Sequence, residues 1–477
     1  MSENRTVLIT GATGYIAGRL IPLLLERGYP VRCLVRDMSR IRGRDWYSQV
    51  EFVDGDIASC ESLEKALEGV YTAYYLVHSM TTGRNYPALD LTTAQNFASA
   101  ASQAGVEHII YLGGLVDPEA EIGLHMHSRI QTGEALRQGT VPVTEFRASV
   151  IIGSGSTSFE MIRFLTEQIP VLVGPVWLRN RAQPISIQNV LDYLLAALEN
   201  RACRGRIFEI GGRDVITYAE TMLIYARLRG LKRRLLTMPV IPLGWMAFLV
   251  DRLTPIPASI AYPLIDGMRS DSVVRDEAAR RFFPHVQLLD YTTAVKNALG
   301  KLSPSQVMPV WDNGGDLARV IKHEGFFIEV RQVRLDTQPE AVFRAFTRLG
   351  GKHGWLYLNS LWQLRGLFDR LMGGPGMRGR RDDESLNEGE KVDFYNVETL
   401  VPDRMLRLRA EVKAPGLSWM EWRVKPVSEG GALFSQLVFF APKGVLGFLY
   451  WYALYPIHHL VFEGLFKKIK QKTGQFQ

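Results

Sequence analysis

Apolar positions along the chain follow two periods, and each change of period marks a new element. Val7, Leu8 and Ile9 form an unbroken aliphatic run, as in a strand buried on both faces. From Tyr15 the apolar residues Ile16, Leu20, Leu23 and Leu24 recur at three- and four-residue steps, as on one face of a helix. The alternation continues. Strand-like runs at 31–36, 50–54, 72–77, 108–112 and 141–147 are separated by helical patterns near 63–67, 87–103 and around His125 to Glu134. This order predicts an α/β domain on a doubly wound parallel sheet.

Residues 158–300 are less regular. Ile185-Ser-Ile-Gln-Asn-Val190 opens a helix to about Leu198, and Arg206 to Ile210 reads as a strand. Thr217 fits an N-cap, with Glu220 completing a capping box. Met238 to Val250 is apolar but too short to span a bilayer. The region is expected to be a small substrate-covering part of the first domain. Ser303-Pro304, Pro309 and Asn313-Gly314-Gly315 mark a composition shift, which places the first domain at 1–305, a linker at 306–322 and a second domain at 323–477. In the second domain a strand at 326–333 and a helix at 339–346 precede strand-like runs at 391–399, 405–412, 418–424 and 433–440. A terminal helix starts near Val445, so the domain reads as α+β.

Composition narrows the class. The chain has 477 residues, 47% hydrophobic and 22% charged, which suits two or three globular domains. Its net charge of +7 suits an anionic ligand such as a dinucleotide phosphate, or a membrane surface. Nucleic acid is not expected, for lack of a Lys/Arg stripe. Cys33, Cys60 and Cys203 are scattered, which points to a reducing compartment, and only five residues precede the first strand, so no signal peptide is expected. The expected location is cytoplasmic. The stretch 444–462 is apolar and aromatic, is broken by Pro456, His458 and His459, and leads into Lys467, Lys468, Lys470 and Lys472. A buried terminal helix is the favoured reading, and peripheral membrane contact through 444–472 is the alternative.

Candidate chemistry gathers at predicted strand ends. Gly11, Gly14 and Ala17 follow the first strand and open the first helix, where free N–H groups and the helix dipole suit a phosphate. Arg36 ends the second strand, where an arginine suits a ribose 2′-phosphate and thus NADP; the adjacent Asp37 keeps NAD possible. Asp56 and Ile57 follow the third strand and could hold adenine. His78 follows the fourth strand, and Gly113-Gly114 end the fifth. Adjacent histidines on a helix diverge by about 100°, so His458 and His459 make no metal site, and none is expected elsewhere. The cluster Trp355, Tyr357, Trp362 and Phe368 is expected in a core or a cavity lining.

Thr10-Gly-Ala-Thr-Gly-Tyr-Ile-Ala17, Arg36, Gly55-Asp56-Ile57, Arg147 with Val150-Ile-Ile-Gly153, and the 185–190 segment resemble the extended or atypical branch of the short-chain dehydrogenase/reductase family, over about the first 300 residues. The resemblance implies a Rossmann sheet. It also implies that Gly11, Ala12, Thr13, Gly14, Tyr15 and Ile16 cradle the pyrophosphate, that Asp56 and Ile57 hold adenine, and that Leu76 to His78 line the crevice near the nicotinamide ribose. The catalytic motif departs from the family: the helix reads His125-Met-His-Ser-Arg129 with Gly133-Glu134, so His125 stands for the usual tyrosine and Arg129 for the lysine. Two-domain bacterial proteins of the same branch share the Leu-Gly-Gly strand end and the Ser-Arg helix. The extension resembles the polyketide cyclase and START-like superfamily with its helix-grip fold, through Pro339-Glu-Ala-Val-Phe343. An apolar cavity is implied there. The expectation is an NADP(H)-dependent oxidoreductase for a hydrophobic small molecule. The alternative is a non-catalytic NADP(H) sensor or assembly factor whose second domain holds a lipid or quinone.

Overall fold

The computed structural model describes residues 5–79, 86–117, 119–120, 122–307, 316–381, 385–427 and 430–473. Among these the chain divides into two compact units, residues 5–302 in one and 303–307 with 316–473 in the other.

The first unit is an α/β sandwich on a seven-stranded parallel sheet. From edge to edge its strands are Ile207–Ile210, Val143–Ala148, His108–Gly114, Val70–Tyr75, Thr6–Thr10, Val31–Val35 and Glu51–Asp54. Both faces are covered because successive side chains on a strand point to opposite sides. Val7 and Ile9 pack with Ile21, Leu24, Val190 and Leu194 of helices Tyr15–Glu26 and Ile187–Glu199. Leu8, between them, faces Leu63, Phe97 and Leu136 on the other side. The chain order reverses beside Thr6–Thr10, so the strand ends Thr10 and Tyr75 flank the crevice where such sheets bind ligands.

The region 158–300 forms a lobe of helices with small sheets. Ser186 caps the helix Ile187–Glu199 through Gln188 N, and Thr217 with Glu220 forms both bonds of the capping box. A strand pair in this lobe was not legible in the sequence. Arg234–Met238 is a strand, paired in parallel with Val171–Pro175, so the apolar helix that follows is confined to Leu243–Leu253.

The second unit carries a seven-stranded antiparallel sheet with its helices. Its strand order is Leu317–His323, Phe326–Leu335, Ala432–Pro442, Gly416–Pro426, Met405–Ala410, Tyr395–Val401 and Lys391–Val392. The expected linker 306–322 needs correction at its end: Leu317–His323 pairs along its whole length with Phe326–Leu335 and is part of the sheet. Its middle, with Pro309 and Asn313 to Gly315, lies outside the described residues. The helix Gly444–Thr473 lies on the sheet, where Phe462, Leu465 and Phe466 join Trp422 and Phe434 in the core. Gln436 ties the two, donating to Phe462 O at 2.9 Å and accepting from Trp422 Nε1 at 3.0 Å. Asn359–Leu371 is a further helix, and it carries Trp362 and Phe368.

Candidate active site

The glycine turn has the backbone that its sequence requires. Gly11 has φ +72°, and a Cβ there would lie 2.7 Å from Leu76 O. Gly14 N donates to Gly11 O at 2.8 Å and caps the helix Tyr15–Glu26 without a side chain. Ala12 is buried, Thr13 half-buried and Gly14 exposed, so the turn presents backbone to its surroundings. A close-packed glycine turn at a helix N-terminus fits a dinucleotide pyrophosphate. Thr10 Oγ1 links the first and fourth strand ends, donating to Tyr74 O and accepting from Leu76 N.

At the next strand ends Arg36 Nη1 lies 3.5 Å from Asp56 Oδ2, and both side chains are exposed. Asp37 is committed locally. Its carboxylate accepts from Ser39 N at 3.0 Å and from Ser39 Oγ at 2.6 Å, and these bonds hold it below the usual carboxylate range. Asp56 accepts from Ala58 N, while Ile57 packs against the core.

On the other side of the turn lies a largely apolar cavity of about 440 Å³. Tyr15, Ile16, Leu76, His78, His125 and Arg129 all line it, so the structure gathers both histidines and the arginine at one end of the sheet. His78 Nε2 lies 3.1 Å from His125 Nδ1. His78 Nδ1 lies 2.9 Å from Asp90 Oδ2, and Asp90 is buried. Ser128 Oγ also donates to Asp90 Oδ2 at 3.1 Å, and Ser79 N donates to Oδ1 at 3.0 Å. The outcome is a chain from carboxylate to imidazole to imidazole to cavity. Burial works to raise the Asp90 carboxyl, but bonds and charge from His78 and Ser79 prevail and hold it below its ordinary value. Burial lowers the His78 imidazole, against the upward pull of Asp90. Burial, with His78 and Arg129, pushes His125 down to about 3.

Arg129 is held by the sheet itself. Its guanidinium donates to Leu112 O and to Val77 O, and it lies 4.9 Å over the Tyr111 ring. His127, by contrast, is exposed. Asp90 was missed in the sequence, although a signal was present. Tyr86, Asp90, Thr93 and Phe97 form the buried stripe of the helix Tyr86–Gln103, and an acid in such a stripe needs a partner.

The second unit has its own cavity of about 270 Å³, lined by rings including Trp362, Phe368, Trp419, Phe440 and Trp451. Trp355 is core, stacked on Trp362 at 4.4 Å. His458 lines the cavity and is pushed down to about 4 by burial, helped by Arg365. His459 turns instead to Glu329, 3.1 Å away.

Residues 3–168 match the model of the NmrA-like family, and residues 323–465 match that of a protein family of unknown function, DUF2867. Sterol demethylase protein B of Methylococcus capsulatus is 26% identical over 58% of this chain and 84% of its own length. Ceramide reductase of Caulobacter vibrioides is 27% identical over 49% of this chain and 73% of its own. Photosystem II assembly factor Ycf39 of Cyanophora paradoxa is 23% identical over 49% and 72%. Among solved structures, triphenylmethane reductase of Citrobacter superposes with a TM-score of 0.51 at 22% identity, over 62% of this chain and 99% of that one. It has also been solved with NADP(H). Residues 3–168 are therefore similar to the NmrA-like family, and the first unit has a Rossmann-type fold.

Proposed function

We propose that the chain is an NADP(H)-dependent oxidoreductase acting on a carbonyl or related group of a hydrophobic small molecule. The observation that carries this reading is the Asp90–His78–His125 chain, which ends in an apolar cavity beside the glycine turn. The turn and Tyr15-Ile16 would hold the pyrophosphate, Asp56 and Ile57 the adenine, and Leu76 to His78 the nicotinamide ribose. Arg36 is free of a close carboxylate clamp, since its 3.5 Å contact with Asp56 is exposed and weak; it is the group that would take a 2′-phosphate. Bound NADPH supplies a hydride, and the chain's part is to orient the acceptor and move a proton.

The Asp90 carboxylate faces His78 Nδ1 and so fixes the proton on that nitrogen. In the neutral pair, His78 Nε2 accepts from His125 Nδ1–H, and His125 Nε2 is a lone pair, suited to take a proton from an alcohol. When the pair gains one proton, His78 Nε2–H donates to His125 Nδ1, and His125 Nε2–H can donate to a carbonyl oxygen. As the carbonyl carbon gains hydride, its oxygen takes the Nε2 proton. His125 Nδ1 then takes the proton of His78 Nε2, and the pair regains its lost proton from water. Burial keeps the neutral pair dominant near pH 7, so reduction is favoured at lower pH and oxidation at higher pH. Arg129 supplies positive charge at the crevice from a fixed position.

The names of two relatives, a ceramide reductase and a sterol demethylase protein, support an apolar, lipid-like substrate. The second unit's long helix on an antiparallel sheet, with a ring-lined cavity, supports the START-like reading and a lipid or quinone as its ligand. A second reading, a non-catalytic NADP(H) sensor or assembly factor, draws on the absent Tyr-x-x-x-Lys and on the Ycf39 similarity. NADPH oxidation measured over a panel of quinones, aldehydes and keto-lipids separates the two. Turnover of any panel member supports the enzyme; tight NADPH binding with none oxidised supports the sensor.

A further inference from the structure

The lobe over the first cavity leaves an apolar face open to solvent. In the parallel pair of Val171–Pro175 and Arg234–Met238, Leu236 stands opposite Val173 and Arg234 opposite Val171. Val171, Val173, Leu236 and Met238 are all exposed, so one face of this pair is apolar and uncovered. Further exposed apolar residues follow in the chain. Val240 is 79% exposed, and on the helix Leu243–Leu253 Trp245 and Phe248 are 55% and 52% exposed while Ala247 and Val250 are buried. Trp245 and Phe248 are three residues apart and thus on one side of that helix.

Two further observations say what covers this face. Cations flank it: Lys232 just before the strand and Arg234 at its start are exposed, and Arg252 lies 5.2 Å over the Phe248 ring. The one acid of that helix, Asp251, is occupied with Ala258 N. Second, Val173 and Trp245 are at once exposed and part of the cavity lining, so the cavity opens on this face. Tryptophan and aliphatic side chains ringed by Lys and Arg are the composition of a surface that lies in the headgroup region of an anionic bilayer.

We infer that this face docks on an anionic lipid bilayer, with the mouth of the first cavity turned to the membrane, so that an apolar ligand passes between lipid and cavity without crossing water. This docking does not depend on the chain's turning over a substrate. The test is flotation of the full chain with phosphatidylcholine–phosphatidylglycerol vesicles and with phosphatidylcholine alone. The wild type should float with the anionic vesicles and lose most of that binding at high salt. Leu236→Ser/Val240→Ser/Phe248→Ser should reduce binding about tenfold or more, and Lys232→Glu/Arg234→Glu should do the same without touching the apolar residues. These side chains are solvent-exposed, and an unchanged thermal midpoint verifies folding. The control Leu446→Ser/Leu449→Ser, on the exposed side of the terminal helix, should float like the wild type. Absence of flotation with either vesicle overturns the inference. So does loss of binding only in the control, which would transfer the contact to 444–472.

Discussion

The cavity of the first unit has titratable groups on one wall, whereas that of the second is walled by rings. Each holds a histidine that burial keeps neutral, His125 at about 3 and His458 at about 4. What differs is the group behind the imidazole. His125 leans on His78, and His78 on a buried carboxylate. His458 packs against Tyr450, Trp451 and Phe462, and the charge that shifts it is the repelling Arg365. A buried histidine can exchange protons usefully only where something stabilises its charged form. One cavity therefore has the means for proton transfer, and the other the means for holding an apolar molecule.

The sharpest test of this contrast is His125→Ala. Turnover should fall about 10³-fold with NADPH affinity within about threefold, because general acid–base groups contribute on the order of 10²–10⁴. Unchanged turnover would remove His125 from the chemistry. Asp90→Asn should lower turnover about 10²-fold and shift the pH profile, since the amide no longer fixes the His78 tautomer. A loss of stability with an unshifted profile would reduce Asp90 to a structural role. Acid unfolding compares the units directly. The folded-state values of His125 and His108 are lowered to about 3, and that of His458 to about 4. Protonation thus favours the unfolded chain: the stability they confer is complete above the unfolded value near 6.5 and is lost as pH falls toward the folded values. Each costs about 1.4 kcal/mol per pH unit in that window. Urea titrations at neutral and acidic pH should show the first unit weakening more steeply than the second. Equal slopes would contradict the assignment. The smallest effect expected is from Arg36→Ala, which should reduce the preference for NADPH over NADH about fivefold. An unaltered preference would shift the discrimination elsewhere.

What could be read in the sequence depended on how far apart the cooperating residues lie. The glycine turn, with Gly14 N on Gly11 O, and the Thr217–Glu220 capping box each express a contact within a few residues, and Arg36 and His78 could be placed by their positions at strand ends. The pairing of Arg234–Met238 with Val171–Pro175 spans some sixty positions, and its strands alternate toward solvent, so their apolar residues read as loop or helix. Leu317–His323 has the same difficulty, since its strand character comes from pairing with its neighbour. Asp90 lies between the two cases. Its helix was legible, but the reason for an acid on the buried side appears only when His78 and Ser128 arrive from other elements.

The segment 76–79 serves two masters. Its first residue presents a carbonyl to Gly11 and an amide to Thr10, and its last two supply His78 and an amide to Asp90. The packing of the glycine turn and the bearing of the imidazole are thus set by four consecutive residues. Displacing this segment would disturb the glycine turn and the His78–Asp90 contact together.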